Sequence, residues 1–487
     1  MNDVSDADPD TVCARAPFPL VVDLDGTFLT VDTLYELFAS GLFAKPVQTL
    51  LALSVLRHGI AAFKRQLCRI AELDFEVLPV RDELLTYLQH EAETGREIHL
   101  VTAADQVVAS GVAARFPFFK TAQGTDQNLN LKGSSKAQRL RDLFPDGFVY
   151  AGDSRVDLPV WKGAKAAIVV SGSQSLNRAV RSAGIPIEHV VKLRPSRSSA
   201  WLRAIRPHQW AKNLIVLVPL ALGWRDVTVT ALLTTLVVMG LLCLVSSLTY
   251  IVNDIADLSS DRRHWSKRRR QFASGAIAVR DGLVVVGILL PAACAAALLV
   301  SPLAGICLLC YVAVTSGYSF GWKRIPLFDT FIIALLFTIR ILIGMAAAHL
   351  APSAWLLTFS MFFFFSLALA KRHTEILRAA EHGLKRLQGR GYLVADAELT
   401  MAFGISASMA SIVIVVIYLV EEVFARRIYN TPGWLWVAPI AIFLFSCRIW
   451  MLSHRGRMTD DPVAFALRDR VSLGLGVFVA IGILLAL

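Results

Sequence analysis

Charge is scarce in this chain. Only 18% of its 487 residues are Asp, Glu, Lys or Arg, against about 25% in ordinary soluble domains. Hydrophobic residues make up 55%, and the mean hydropathy is +0.55. These values exclude a disordered chain, a fibrous repeat and an ordinary soluble enzyme, and they point to a membrane protein with a soluble part attached. Cysteine is sparse too. The seven cysteines (Cys13, Cys68, Cys243, Cys294, Cys307, Cys310 and Cys447) are scattered, and the close pair Cys307/Cys310 lies in an apolar run without histidine partners. Neither a disulfide framework nor a zinc site is expected. Residues 1–16 are polar and acidic and lack the basic start and apolar run of a signal peptide, so no cleaved export segment is expected. The net charge of +11 raises nucleic acid as a partner. In a membrane chain it first describes basic cytoplasmic loops, and no nucleic-acid partner is expected.

Composition divides the chain. After the polar tail (1–16), residues 17–191 read as a soluble α/β domain. Short apolar runs at 19–22, 98–101, 147–150 and 166–170 predict strands, and helical stretches lie between 32 and 89. Strands separated by helices argue for a parallel, doubly wound, Rossmann-like sheet. Residues 192–209 form a basic linker with two prolines, suited to a lipid surface. From 210 to 487 apolar runs recur at 210–225, 229–252, 281–301, 303–320, 327–349, 353–371, 400–421, 433–452 and 471–487. Most are long enough to cross about 30 Å of hydrocarbon as helices, which predicts an all-α bundle of nine spans. The loops after even-numbered spans hold most of the basic residues, including Arg262, Arg263, Lys323, Arg324, Arg372, Arg378, Arg455 and Arg468. The opposite loops are short or weakly charged, apart from Arg426 and Arg427. The positive-inside rule puts the basic loops and the N-terminal domain in the cytoplasm, and an odd span count puts Leu487 outside.

A first candidate site follows the first strand. In Asp23-Leu24-Asp25-Gly26-Thr27 two carboxylates at i and i+2 sit on a strand-end loop. Asp23 is placed to attack phosphorus while Asp25 handles protons, and Gly26 permits the turn. Thr102 in HLVTAAD can hold a phosphate oxygen, Lys136 in GSSKAQRL can neutralise developing negative charge, and Asp153 and Asp157 in AGDSRVD can hold Mg²⁺ against Asp23. Four such elements at strand ends, over about residues 17–190, resemble the haloacid dehalogenase (HAD) superfamily. The resemblance implies an aspartyl-phosphate mechanism with Mg²⁺, Asp23 and Asp25 among its metal-site residues, and a helical cap at about 32–94. Lys132 competes with Lys136 for the lysine role; Lys136 is preferred because it stands near the start of a helical stretch. The alternative is an inactive domain whose acids merely cap turns.

A second candidate site closes the second span. In Tyr250–Asp261 the acids Asp254, Asp257 and Asp261 fall at i, i+3 and i+7, on one face if the helix continues. Carboxylates beside hydrocarbon need cations, and Mg²⁺ bridging a diphosphate supplies them. The alternative is a frayed helix end with solvated acids. Lys267, Arg270 and the turn Ala273-Ser274-Gly275 follow. The pattern NDxxDxxxD, a basic segment and ASG resemble the UbiA superfamily of intramembrane prenyltransferases, with Gln271 where that family's run has proline. The strings 206–213, 318–331, 367–375 and 454–470, with Arg340, resemble its branch that makes decaprenyl-phosphate phosphoribose.

That branch implies a reaction. The phosphate of a polyprenyl phosphate attacks C1 of phosphoribosyl pyrophosphate (PRPP), and pyrophosphate leaves. Asp254, Asp257 and Asp261 hold Mg²⁺, while Asn253 and Tyr318 orient the donor. Lys212, Lys267, Arg270, Lys323, Arg340, Lys371 and Arg372 are candidates for phosphate contacts; for most of them anchoring at the membrane face is the plain alternative. Arg340 stands apart, because it lies within an apolar span. The stretch after the sixth span, Lys371-Arg372-His373-Thr374-Glu375, lacks the second acidic motif of the quinone-type enzymes. The N-terminal domain is then expected to remove the 5-phosphate from the lipid-linked product, feeding arabinose for cell-surface glycans. The other readings are a prenyl-diphosphate transferase acting on an aromatic or other acceptor, and a membrane scaffold with two degenerate sites. Homo-oligomerisation is left open.

Overall fold

The structure is a computed structural model that describes residues 18–126, 130–192, 197–387, 389–425, 429–458, 465–466 and 469–487. The polar tail 1–16, residues 193–196 of the basic linker, Arg426, Arg427 and Arg468 lie outside the described residues, as do 459–464 and 467–468 of the 454–470 string. The chain forms two compact units. One joins the chain up to Ile205 with Tyr250–Val286, and the other joins Arg206–Thr249 with Gly287–Leu487. The expected boundary at 210 therefore differs from the observed grouping. Tyr250–Val286 goes with the α/β residues because its side chains hydrogen-bond to them, as described below.

The first unit is built on six strands: β1 (Leu20–Val22), β2 (Ile98–Asp105), β3 (Phe119–Thr125), β4 (Val149–Gly152), β5 (Ala166–Val170) and β6 (Ile187–Val191). They form one sheet in the order β3-β2-β1-β4-β5-β6, with every pairing parallel. Leu20, Val21 and Val22 are 0% exposed, as a strand covered on both faces requires. Sequence reading missed β3 and β6. Both are edge strands. Phe119–Thr125 (FKTAQGT) is polar and holds a glycine, and Ile187–Val191 (IEHVV) is half-buried, so neither carries the continuous apolar run of a central strand. The strand order reverses at β1, between β2 and β4, and such a switch point leaves a crevice at the strands' carboxyl ends.

Between β1 and β2 the chain is helical, as expected for 32–94. Helices run over Thr33–Ala44, Pro46–Ala52, Ile60–Ile70 and Asp82–Glu93. Asp32 starts the first by accepting the Leu34 backbone N–H at 3.0 Å, which satisfies one orphan donor of the helix start.

Seven helices are long and apolar enough to cross a membrane: Val229–Ala256, Val279–Val300, Pro302–Phe320, Phe328–Ala347, Ala354–Glu381, Val394–Phe424 and Pro432–His454. Arg470–Ala486 is a shorter apolar helix. The expected bundle of nine spans thus appears, among the described residues, as seven long helices and one short one. The first expected span, 210–225, takes another form. It is a 3-10 stretch, Pro207–Leu217, followed by the five-residue helix Val218–Leu222. Its packing within the second unit supplies a reason. A Cβ on Gly344 would lie 2.1 Å from the Val216 carbonyl oxygen, so this backbone presses directly on the Phe328–Ala347 helix. Small residues permit such approach between membrane segments. Gly404 does the same against the Trp450 ring.

Candidate functional site

At the β1 end the backbone turns through Leu24–Phe28, with Gly26 at φ +75°. A Cβ at Gly26 would lie 2.4 Å from Asp153 Oδ2, so both conformation and space demand glycine. Asp23, Asp153 and Asp157 each place a carboxylate oxygen within 4.8 Å of the others, the one such group of acids among the described residues. Lys136 is 3% exposed and donates from Nζ to Asp23 Oδ1 at 2.7 Å and to the Tyr150 hydroxyl at 3.0 Å. The Tyr150 hydroxyl in turn donates to Asp157 Oδ1 at 3.2 Å. Lys132, the rival lysine, is exposed.

The acids are crowded and poorly solvated. Burial first, then Asp23 and Asp157, push the Asp153 carboxyl up to about 7. Burial and then Asp23 also raise Asp157. One lysine cannot offset three close carboxylates, whereas a hard dication with oxygen ligands would. The donor set therefore fits Mg²⁺. Asp25 stands outside this group, although expected as a metal-site residue as well as a proton carrier. Its Oδ1 accepts the Thr33 backbone N–H at 2.8 Å. Burial, then Asp32, push its carboxyl up to about 7, a value suited to moving protons at neutral pH. Thr102 is fully buried and its Oγ1 accepts the Ala104 N–H at 3.0 Å.

Sequence reading missed three residues here. Thr27 Oγ1 donates to Asp153 at 3.4 Å. Arg81 donates through Nε and Nη2 to the Gly26 carbonyl at 3.0 and 2.6 Å. Tyr150 bridges Lys136 and Asp157. Thr27 stands in the quoted DLDGT string, but Arg81 and Tyr150 carry no spacing signal.

The second acidic cluster lies at the end of Val229–Ala256. That helix stops at Ala256, and Asp257 stands at the N-cap position of a separate short helix, Leu258–Arg263, without a side-chain capping bond. The three acids therefore do not share one uninterrupted helical face. Asp254 and Asp261 are nevertheless brought together: Arg270 Nη1 donates to Asp254 Oδ1 at 3.1 Å and to Asp261 Oδ2 at 2.7 Å. Asp254 and Asp261 are buried, and Asp257 is half-buried. Burial holds the Asp261 carboxyl above its ordinary range against the pull of Arg270. Asn253 is half-buried one residue before Asp254, and Lys267 is exposed.

The remaining candidates belong to the second unit. Arg340 is 5% exposed. Its Nε donates to Asn213 Oδ1 at 2.9 Å, its Nη1 to the Leu336 carbonyl at 2.8 Å and its Nη2 to the Tyr311 hydroxyl at 2.9 Å. All three partners are neutral, and among the described residues no carboxylate pairs with it. Arg372 is 1% exposed. It donates from Nη2 to Asp329 Oδ2 at 2.6 Å and from Nη1 to Glu375. The Tyr392 hydroxyl donates to Asp329 Oδ1 at 2.6 Å and accepts the Leu327 N–H at 2.7 Å, at a backbone with φ +65°. Arg372 was expected to contact phosphate; here both of its terminal nitrogens are held by acids. Asp329, Tyr392 and Arg390 were missed, because their partners lie 43 to 72 residues away. Tyr318 accepts from Arg390 Nη1 at 2.6 Å. Lys212 and Lys323 are half-buried, and Lys371 Nζ lies 3.9 Å from Glu375.

The model of the UbiA prenyltransferase family matches residues 214–469. The chain is 38% identical over 478 residues to the uncharacterized protein y4nM of Sinorhizobium fredii, covering 98% of this chain and 93% of that one. It is 30% identical over 302 residues to the nodulation protein NoeC of Azorhizobium caulinodans, covering 58% of this chain and 92% of that one. It is 32% identical over 207 residues to the decaprenyl-phosphate phosphoribosyltransferase of Corynebacterium glutamicum, covering 41% of this chain and 62% of that one. With seven helices fit to cross a membrane and a family match over more than half its length, the chain is an integral membrane protein and belongs to the UbiA prenyltransferase family.

Proposed function

We propose that the chain transfers 5-phosphoribose from PRPP to a polyprenyl phosphate. The proposal further holds that its α/β unit, read as a HAD-type phosphatase with its helical insertion as cap, then removes the 5-phosphate. The observation that carries the transferase reading is the Asp254–Arg270–Asp261 cluster, set against Arg372 with its own acids. Arg270 is 28% exposed on a loop and can exchange its acids for a ligand. Asp329 is 0% exposed and its partner Arg372 1% exposed, so the cation of this second set is itself buried, although its other acid, Glu375, is 29% exposed. One open acidic cluster suits one diphosphate, and a phosphate acceptor needs cations instead. Similarity to a decaprenyl-phosphate phosphoribosyltransferase supports the same choice.

In the transfer, a phosphate oxygen of the lipid forms a bond to C1 of the ribose as the C1–oxygen bond to pyrophosphate breaks. Asp254, Asp257 and Asp261 would hold Mg²⁺, which when bound neutralises the departing charge. Arg270 moves from carboxylate to phosphate oxygens. Lys212, Lys323, Lys371 and Arg340 supply positive charge for the acceptor phosphate, and Lys267 and Asn253, on the same segment as the acids, serve the donor's phosphates and its orientation.

In the second step the Asp23 carboxylate attacks the 5-phosphate. Lys136 steadies the carboxylate, and Asp25 gives its proton to the leaving ribose oxygen. Asp25 then takes a proton from the water that hydrolyses the aspartyl phosphate. Asp23, Asp153 and Asp157 would hold a second Mg²⁺ that offsets phosphoryl charge. The basic loops support a cytoplasmic side for both reactions.

Donor competition tests the first step. Full-length protein in lipid nanodiscs is given labelled PRPP or labelled prenyl diphosphate, and pyrophosphate release is measured. Release that needs both PRPP and polyprenyl phosphate, and that Asp257→Asn abolishes, is expected. Release from prenyl diphosphate instead favours an aromatic-type acceptor and overturns the proposal.

A further inference from the structure

Glu36 lies on the buried side of the Thr33–Ala44 helix, 3% exposed. A carboxylate so placed requires a partner, and the partner comes from the acidic segment far along the chain. Arg262 donates from Nη1 to Glu36 Oε2 at 3.0 Å and from Nη2 to Glu36 Oε1 at 2.7 Å. This paired fork fixes direction as well as distance. The third nitrogen of the same guanidinium, Nε, donates to the Ala273 carbonyl at 2.9 Å. Arg262 therefore holds both ends of the loop 262–273 while itself docked on the α/β fold. Its neighbour Asp261 is one of the two acids on Arg270, and Arg270 lies within that loop.

A second attachment lies at the loop's far end. Thr30 Oγ1 donates to the Ser274 carbonyl at 3.2 Å. Gly275 has φ +74°, and a Cβ there would stand 2.2 Å from Thr30 Oγ1. Thr30 belongs to the loop that follows Asp25, and Glu36 to the helix behind it. The segment that follows β1 thus also braces the acidic loop, through residues that do not touch the Asp23–Asp153–Asp157 group. The Phe272 ring between the two attachments meets the Trp201 ring edge-on at 6.4 Å.

We propose that Glu36 and Arg262 are a positioning pair: through them the α/β fold holds the Asp261–Arg270 loop in the form that receives the donor's diphosphate. The pair does not touch the reacting atoms. It acts by keeping Asp254, Asp261 and Arg270 assembled before the donor arrives, so its loss should weaken donor binding more than turnover. The inference rests on the reading of that cluster as the PRPP site, and the experiment keeps the two separable.

Wild type, Glu36→Gln and Arg262→Lys are compared as full-length chains in nanodiscs by three measurements. Hydrogen exchange reads the brace itself. In Glu36→Gln, amides within 262–275 should exchange at least about tenfold faster while β1 and β4 keep their protection. PRPP-dependent pyrophosphate release reads the consequence. KM for PRPP should rise about tenfold or more with kcat changed less than about threefold, and Arg262→Lys, which keeps the charge but loses the fork, should fall between. Hydrolysis of a soluble phosphate ester reports whether the α/β fold is intact and should stay at the wild-type level. Unchanged exchange in 262–275 overturns the brace whatever the substrate. Equal losses in transfer and ester hydrolysis overturn the positioning role and leave a structural pair. A wild type that shows altered exchange in its variants but no PRPP turnover refutes the donor assignment and leaves the brace standing.

Discussion

Lys136 Nζ lies 2.7 Å from Asp23 Oδ1 with only 3% of its side chain exposed. A lysine buried on the proposed nucleophile serves charge balance at one atom, and no solvent cation can take its place. Lys136→Met should lower hydrolysis of a soluble phosphate ester by about a hundredfold to a thousandfold. Lys132→Met, at an exposed position, should leave the rate within about twofold. Equal effects at the two lysines would refute this assignment.

The same crevice should make stability depend on pH and cation together. Asp25 and Asp153 stand at about 7 in the folded chain against an ordinary 3.8. A carboxyl raised in this way binds its proton more tightly folded than unfolded. Its contribution is therefore full below the unfolded value and is lost as pH climbs through the folded one. Without divalent cation the unfolding midpoint of the α/β unit should fall between about pH 4 and pH 7. Mg²⁺ favours the ionised acids and should restore much of the loss at the upper end. Thermal scans with chelator and with Mg²⁺ across that range check both signs, and a midpoint indifferent to pH and to Mg²⁺ contradicts the account.

Arg372 and Arg270 should separate by experiment. Removing Arg372 leaves Asp329, 0% exposed, with only the Tyr392 hydroxyl and Arg390 Nη1 at 3.7 Å, and breaking such a buried pair costs up to about 3–5 kcal/mol. Arg372→Ala should thus lower the thermal midpoint of the membrane helices or abolish accumulation of the protein. Arg270→Ala frees two acids on a more exposed loop and should mainly raise KM for PRPP. Thermal unfolding in detergent beside donor kinetics tells the two apart; a stable Arg372→Ala with a raised acceptor KM would return Arg372 to phosphate binding.

Much of this was legible before any coordinates. The central strands announced themselves as short apolar runs, and DLDGT, Lys136 and GDSRVD named most of the crevice. The two edge strands did not, because half-exposed strands with polar faces look like loops. The loop brace was also invisible. Glu36 carries no spacing signal, because its partner Arg262 stands 226 residues later. The 210–225 run shows the opposite failure. It is apolar like a span, but it packs as 3-10 backbone against the bare face of Gly344, and periodicity cannot report that contact.

Arg340 offers a check inside the membrane helices. Its guanidinium is held by Asn213, Tyr311 and the Leu336 carbonyl, and among the described residues its charge meets no acid. If that charge serves the acceptor phosphate, Arg340→Lys should keep part of the transfer activity, and Arg340→Gln should lose about a hundredfold in kcat/KM for polyprenyl phosphate while KM for PRPP holds. Steady-state kinetics with each substrate varied decides it, and an unchanged acceptor dependence in Arg340→Gln assigns the residue to packing.

The central claim is tested most directly by mass spectrometry of the lipid made by the intact chain from decaprenyl phosphate and ¹³C-labelled PRPP. The account predicts labelled ribose joined to the lipid phosphate, free of its 5-phosphate in the wild type and still carrying it in Asp23→Asn. Absence of label in the lipid would contradict the transfer, and the same labelled lipid from both proteins would contradict the part assigned to Asp23.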